Sequence, residues 1–447
     1  MREGLHESPL LRIVYGAILV LYLQGSIGRI CLAQEAPISS LERSIVDTML
    51  KDVKADIKSN YYDPKFHGMD LDQRFNEAKE HIKSAKTYNQ AIAAVAWALL
   101  PLNDSHTFLL PPRRTYKMLY GYQFAVVGDG CYVTAVEPET DAEKKGLRVG
   151  DRIVTLNKVT PNRGNLWEVN YLFRVLRPQA ADELVLRSPD GTERTLVINP
   201  KVTSERVINY LGIDYWDLIR ESQSYSHLMR RRSFTVGDSV IIWNLPTFAV
   251  DEKAIDEMMG QSSKYPAMIL DLRGDGGGSV NTLLRLVGSV IDHDLTLGTP
   301  VVRKTSPPLL AKSRGDKAYR GKLIVLVNNG SASASELFAR TMQLQKRAII
   351  VGDVTAGKVM EARYHFHTVG LDSGQGYGVM ISEADLLMPD GKSLEHMGVT
   401  PDELNLPVAK DMAANRDPVL SYAVHLAGGE LSPEDAGKLF PIEWLKE

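Results

Sequence analysis

The sequence predicts a multidomain α/β protein: a helical N-terminal region, a small β-rich domain and an α/β layered core around a mostly parallel sheet. Three observations carry that prediction. A chain of 447 residues exceeds what one hydrophobic core usually serves, which favours two or three domains. Apolar residues recur at helical spacing up to about residue 110, then shorten from 114 to 202 into runs bounded by Gly, Pro and Asp. From 203 to 410, near-continuous apolar runs alternate with helical segments, as in a sheet covered on both faces.

In chain order, residues 1–33 stand apart. Arg2 and Arg12 precede an apolar stretch, IVYGAILVLYL (13–23), and ICLAQEA offers a small-residue cleavage point after Ala33. That is the layout of a secretory signal peptide, with an apolar stretch too short to span a bilayer. An exported mature chain, periplasmic or secreted, is therefore expected, with a membrane anchor as the alternative if the leader stays uncleaved. Cys31 lies in the leader, so Cys131 is left alone and packing must hold the fold without an intrachain disulfide. A net charge of −3 with 24% charged residues gives no reason to expect nucleic acid as a partner. The run Arg230, Arg231, Arg232 reads as a solvated loop or a contact between domains.

Residues 39–112 form the helical region. Ile45, Met49, Val53 and Ile57 make one stripe, and a second helix is expected from about 87 to 100, opened by Thr87 with Gln90 three residues on. It stops at Pro101, before PLNDSHTFLLPP. Residues 114–202 contain five strand-like runs, FAVVG, CYVTAVEP, DRIVTLN, ELVLRSPDG and RTLVINP, with one helix expected over 162–177 carrying Leu166, Val169, Leu172 and Val175 inward. The stretch YVTAVEPETDAEKKGLRVGDRIVTLNKV resembles a PDZ domain, with Ala142, Gly146, Leu147, Gly150, Asp151 and Ile153 at the family's spacing. The resemblance implies capture of a peptide C-terminus as an added edge strand. Its carboxylate loop falls near Gly121, Tyr122, Gln123 and Phe124, which depart from the family's usual Gly-Leu-Gly-Ile type.

In the core, residues 203–410, strands are expected at VIIWNL, AMILDLR, KLIVLVN and RAIIVGDV, with helices near 251–262, 280–291 and 335–346. Residues 411–447 read as a closing helical segment.

The stretch NNGSASASE (328–336) turns a buried strand into a helix with nothing larger than Ser between Gly330 and Glu336. Ser is an ordinary turn and cap residue. A nucleophile also needs small neighbours and the unpaired amides of a helix's first turn. Ser333 is the candidate, and Lys358 in VGDVTAGKV the candidate general base if burial holds it neutral. DLRGDGGGS (271–279) ends another buried strand, so the amides of Gly277 and Ala334 could form an oxyanion hole.

With these pieces in hand, the chain resembles the tail-specific, or carboxy-terminal processing, serine peptidases and their tricorn-core relatives. LNDSHT, the PDZ-like stretch, VIIWNLPTF, DLRGDGGG, VLVNNGSASASELFA, GDVTAGK and MPDGKSLEHMGVTPD occur in that family's order. The resemblance implies that Ser333 is nucleophile, Lys358 general base, and Ala334 with Gly277 the oxyanion donors. It also implies a competing arrangement, because the tricorn branch uses a His before the PDZ and a distant Glu, which here are His106 and Glu395. Two departures matter: Asp275 and Gly276 stand where Asn-Pro is usual, and Ala362 stands where a Gln usually orients the lysine, leaving Glu336 or Glu361 for that task.

The expected activity is that of an exported serine endopeptidase acting on a protein or peptide, held through its C-terminus, with no cofactor. Homo-oligomer formation is left open. His365 and His367 share a strand face without a third ligand, so no zinc site is expected. Rival readings are a non-catalytic binding protein on the same scaffold and a PDZ scaffold with an inactive α/β domain.

Overall fold

The structure is a computed structural model and describes residues 36–114, 116–204, 231–369, 375–442 and 444. The leader (1–33) and Arg230 lie outside the described residues. Three helices come first, α1 (Ser40–Asn60), α2 (Leu71–Ser84) and α3 (Tyr88–Leu99), with Ser39, Asp70 and Thr87 as side-chain caps. At α3 the capping box is incomplete: Thr87 accepts from Gln90, but Gln90 returns to the Lys86 amide at 2.8 Å. Helix α2 is an addition to the expected pair. Only Leu71, Phe75, Ala78 and Ile82 form its buried stripe, too narrow to stand out in a charged segment.

The small unit that follows runs β1 (Phe108–Leu110), β2 (Tyr116–Leu119), β3 (Tyr122–Val127), β4 (Gly130–Val136), α4 (Asp141–Lys144), β5 (Arg152–Leu156), α5 (Leu166–Asn170), β6 (Asp182–Arg187), β7 (Glu193–Ile198) and β8 (Lys201–Ser204). Strands β3 to β7 form an antiparallel sheet in chain order, which leaves β3 at an edge, while β2 pairs with β8. Helix α5 widens into a π segment, Tyr171–Leu176, so Phe173 and Leu176 turn inward with Val169 while Val175 stays half-buried. Cys131 is free and buried, and burial pushes its thiol up to about 12.

The core comprises β9 (Arg232–Val236), β10 (Val240–Asn244), α6 (Glu252–Ser262), β11 (Ala267–Asp271), α7 (Val280–Val290), β12 (Leu295–Val301), β13 (Leu309–Ala311), β14 (Lys322–Val327), α8 (Ala334–Leu344), β15 (Ile349–Gly352), β16 (Glu361–Val369), β17 (Gln375–Leu387) and β18 (Glu403–Leu404). Its main sheet has the order β18-β15-β14-β11-β10-β9, parallel except for the β9–β10 pair. The continuous apolar runs are explained by two covered faces. On β10, Ile241 and Trp243 join the cluster under α6, α7 and α8, while Val240 and Ile242 join the one under α10 (Pro418–Leu426). Residues 411–447 are thus several short helices rather than one, with α9 (Ala409–Ala413) before α10 and α11 (Pro433–Ala436) after it.

A second sheet went unread in the sequence: β1-β17-β12-β13, with β16 beside β17. Pairing of β1 to β17, Phe108 opposite Met380, anchors the LNDSHT segment against the core.

Candidate active site

Three parallel strands, β11, β14 and β15, deliver their C-terminal loops to one end of the main sheet, where sites of open α/β sheets collect. The small residues of 328–336 are explained by what they touch. Ser331 Oγ donates to Leu272 O at 2.8 Å, Ser335 Oγ to Asp275 O at 3.1 Å, and Ala332 N–H to the same carbonyl at 2.9 Å. Two of the three serines therefore fasten this turn to the glycine loop. Ser333 does neither. It is half-buried at the cap of α8, with φ 54° and ψ −117°, a strained backbone that presents its side chain out of the turn.

Its position is fixed from the backbone. Ser333 N–H donates to Lys358 O at 2.8 Å and to Glu336 Oε2 at 3.1 Å. Glu336, fully buried, also receives Thr355 Oγ1 (2.5 Å), Gly357 N–H (2.7 Å) and Lys358 N–H (2.8 Å). Burial pushes its carboxyl up to about 7 against the pull of those donors. Of the two carboxylates expected to serve the lysine, Glu336 binds its amide, whereas Glu361 is exposed on β16, which corrects the second option.

The half-buried Lys358 has its Nζ 5.5 Å from the Trp167 ring centroid. Burial lowers its ammonium to about 8, opposed by Glu336, Glu395 and Glu168. Trp167 and Glu168 both sit on α5 of the small unit, so that helix lies over the lysine.

His106 sits in the same cluster. Its Nδ1 is 2.7 Å from Ser105 Oγ, and Ser105 Oγ is 3.0 Å from Glu395 Oε2. Glu395 is further held by the amides of Ser105 (2.7 Å) and Val359 (2.9 Å), and burial raises its carboxyl. Burial lowers the His106 imidazole to about 4, with Lys358 acting in the same direction and Asp104 opposing. Ser105 was not read in the sequence, and its one signal was its place directly before His106. Among the described residues neither Lys358 Nζ nor His106 is hydrogen-bonded to Ser333 Oγ; such bonds often tighten only on substrate.

Gly277 lies against the nucleophile: a Cβ added there would stand 2.6 Å from Ser333 Cβ and 3.1 Å from Ala334 N. At φ 96° only glycine is at ease. Ala334 begins α8, where its amide has no intrahelical acceptor. The Gly277 amide, however, is bonded to Asp275 Oδ1 at 2.7 Å.

The chain's matches to known proteins fall on these segments. Residues 242–404 match peptidase family S41. A chloroplastic C-terminal processing peptidase of Tetradesmus obliquus is 26% identical over 76% of this chain and 73% of its own. The chain is a serine-type peptidase. The tail-specific protease of Haemophilus influenzae is also 26% identical, over 71% of the chain, which spans only 44% of that relative's length. In fold, the peptidase is similar to mature CPAF complexed with lactacystin, with a TM-score of 0.64 and 16% identity over 90% of this chain and 99% of that one.

The expected peptide-binding loop of the peptidase lies at the start of edge strand β3. Gly121 has φ 72°, and Tyr122 is buried with its hydroxyl on Asp182 at 2.6 Å, beside the Arg174–Asp182 pair. Gln123 Nε2 is buried without a partner among the described residues, and Phe124 stacks on Tyr122 at 5.9 Å between centroids. The histidines of β16 go to separate carboxylates, His365 to Glu383 and His367 to Asp56. Among the described residues no group of three His, Cys, Asp or Glu could hold a metal ion.

Proposed function

We propose that this peptidase cuts protein substrates by acyl transfer, with Ser333 as nucleophile and His106 as general base, oriented by Ser105 and Glu395. Donor direction carries this reading. The Ser105 hydroxyl has one proton, which goes to the Glu395 carboxylate, so its oxygen accepts from His106 Nδ1–H. That fixes the tautomer with Nε2 unprotonated and ready to take the Ser333 proton, as a general base requires. Ala334 and Gly277 are the oxyanion donors, developing charge being held by amides already aimed at it.

A second reading keeps Lys358 as base. Two observations favour it: its carbonyl receives the Ser333 amide, and its ammonium is lowered to about 8. The readings separate by pH, because activity rises as the free base loses its proton. A limb in kcat/KM near pH 4 is expected for His106 and one near pH 8 for Lys358. We expect the lower limb, with His106→Ala abolishing turnover and Lys358→Ala leaving a measurable rate. The reverse pattern would install the lysine. Ser333→Ala, together with fluorophosphonate labelling of the wild type, tests the nucleophile and excludes a binding protein on this scaffold.

The finer reading is of a carboxy-terminal processing enzyme whose PDZ-like unit receives the substrate's C-terminal tail on the open edge of β3. Export follows from the leader-like composition of residues 1–33.

A further inference from the structure

The glycine loop holds a carboxyl for which the proposed reaction has no use. Asp275 is fully buried between β11 and α7. Its Oδ1 accepts the Gly277 N–H at 2.7 Å, and its Oδ2 has no hydrogen-bond partner among the described residues. The amide that would serve the oxyanion is therefore the one Asp275 occupies, within contact of Ser333.

We propose that Asp275 is a positioning residue that gates the oxyanion hole: when its carboxyl is neutral the Gly277 N–H can turn to substrate, and when ionised it locks that N–H away. The proposal rests on the reading of Ser333 as nucleophile and Gly277 as donor. Hydrogen bonds to an ionised acceptor are roughly twice as strong as neutral ones, so ionisation tightens the hold. A buried negative charge beside a developing oxyanion also opposes the charge that the hole exists to stabilise.

The surroundings favour the neutral form. Burial raises the Asp275 carboxyl well above the ordinary range, against the pull of the Gly277 amide. On its own loop, Arg273 pairs with Asp271 and Asp417 rather than with Asp275. On α8, Glu336 faces Ser333, Thr355, Gly357 and Lys358. From the loop after β10, the turn before α8 and the first turn of α8, the groups that meet Asp275 are uncharged: Phe248, and the Ala332 N–H and Ser335 hydroxyl on its carbonyl. No counter-ion thus stabilises the anion among the described residues. An Asn, the usual residue here in the resembling family, could accept the same N–H but could not titrate.

The test is kcat/KM against pH on the full chain with a fluorogenic peptide, for wild type and Asp275→Asn, with fluorophosphonate labelling of Ser333 at each pH. We expect the wild type to lose about tenfold per pH unit above the ionisation of Asp275, and the variant to lack that alkaline limb while keeping the acid one. If Ser333 labels normally and Asp275→Asn follows the wild-type limb, the gate is overturned and the nucleophile stands. Absence of label at every pH would remove the nucleophile reading and the gate with it. Should Asp275→Asn fail to fold, Asp275→Ser, equally unable to ionise, is read by the same criterion.

Discussion

At the scale of single residues, the nucleophile's backbone is where the chain gives up stability for geometry. Ser333 adopts φ 54° and ψ −117°, a region that glycine tolerates and other residues enter at a cost of about 1–3 kcal/mol. Ser333→Gly should therefore raise the urea midpoint by an amount equivalent to about 1 kcal/mol while abolishing turnover. A lower midpoint would mean the turn is not strained. Gly277→Ala makes the opposite demonstration. Its Cβ would collide with Ser333 Cβ at 2.6 Å, at a φ of 96°, so either the turn or the loop must move. We expect kcat/KM to fall at least about 100-fold, the scale of losing an oxyanion donor, together with a lower melting temperature. An unchanged rate would show that the two loops separate during turnover.

At the scale of elements, Glu336 ties three segments together: the cap of α8, the residues before Lys358, and, through Thr355, the Val399 amide at 2.6 Å. Each partner donates, so Glu336→Gln must turn an NH2 toward hydrogen-bond donors. A loss of about 2 kcal/mol in unfolding free energy is expected, with a larger loss in kcat than in KM because the elbow and the lysine loop lose their common anchor. Equal stability of the variant would refute the clamp. The elements that bear these residues were legible where continuous apolar runs met small residues, as at β11, β14 and β15. They were not legible at the 13-residue β17, which pairs with β1 and β12, segments distant in sequence, as well as with the neighbouring β16. Ser105 and the placement of Trp167 escaped for the same reason. Each takes its meaning from a tertiary neighbour, and the Ser105–Glu395 pair is separated by 290 residues.

At the scale of the whole molecule, Asp353 fastens the small β unit to the catalytic loop. Arg163, in the segment before α5, bonds Asp353 at 2.8 Å and Val354 O at 2.7 Å, and the Gly128 amide bonds Asp353 at 2.9 Å. Asp353 is 5% exposed and begins the DVTAGK run that leads to Lys358, over which α5 places Trp167. Helix α5 and the catalytic loop should therefore move apart only when this contact is broken. Arg163→Ala leaves the Asp353 charge nearly buried with the Gly128 and Val354 amides as its donors, which should lower unfolding free energy by about 1–2 kcal/mol, since the arginine is partly solvated. It should also uncover the site more often. For a short peptide unable to reach β3, kcat/KM should rise several-fold, while a peptide long enough to span both sites should gain less. The ratio of the two rates, measured at one pH for wild type and variant, is the deciding quantity. If it stays constant while stability falls, the contact is only structural and α5 does not restrict access to Ser333.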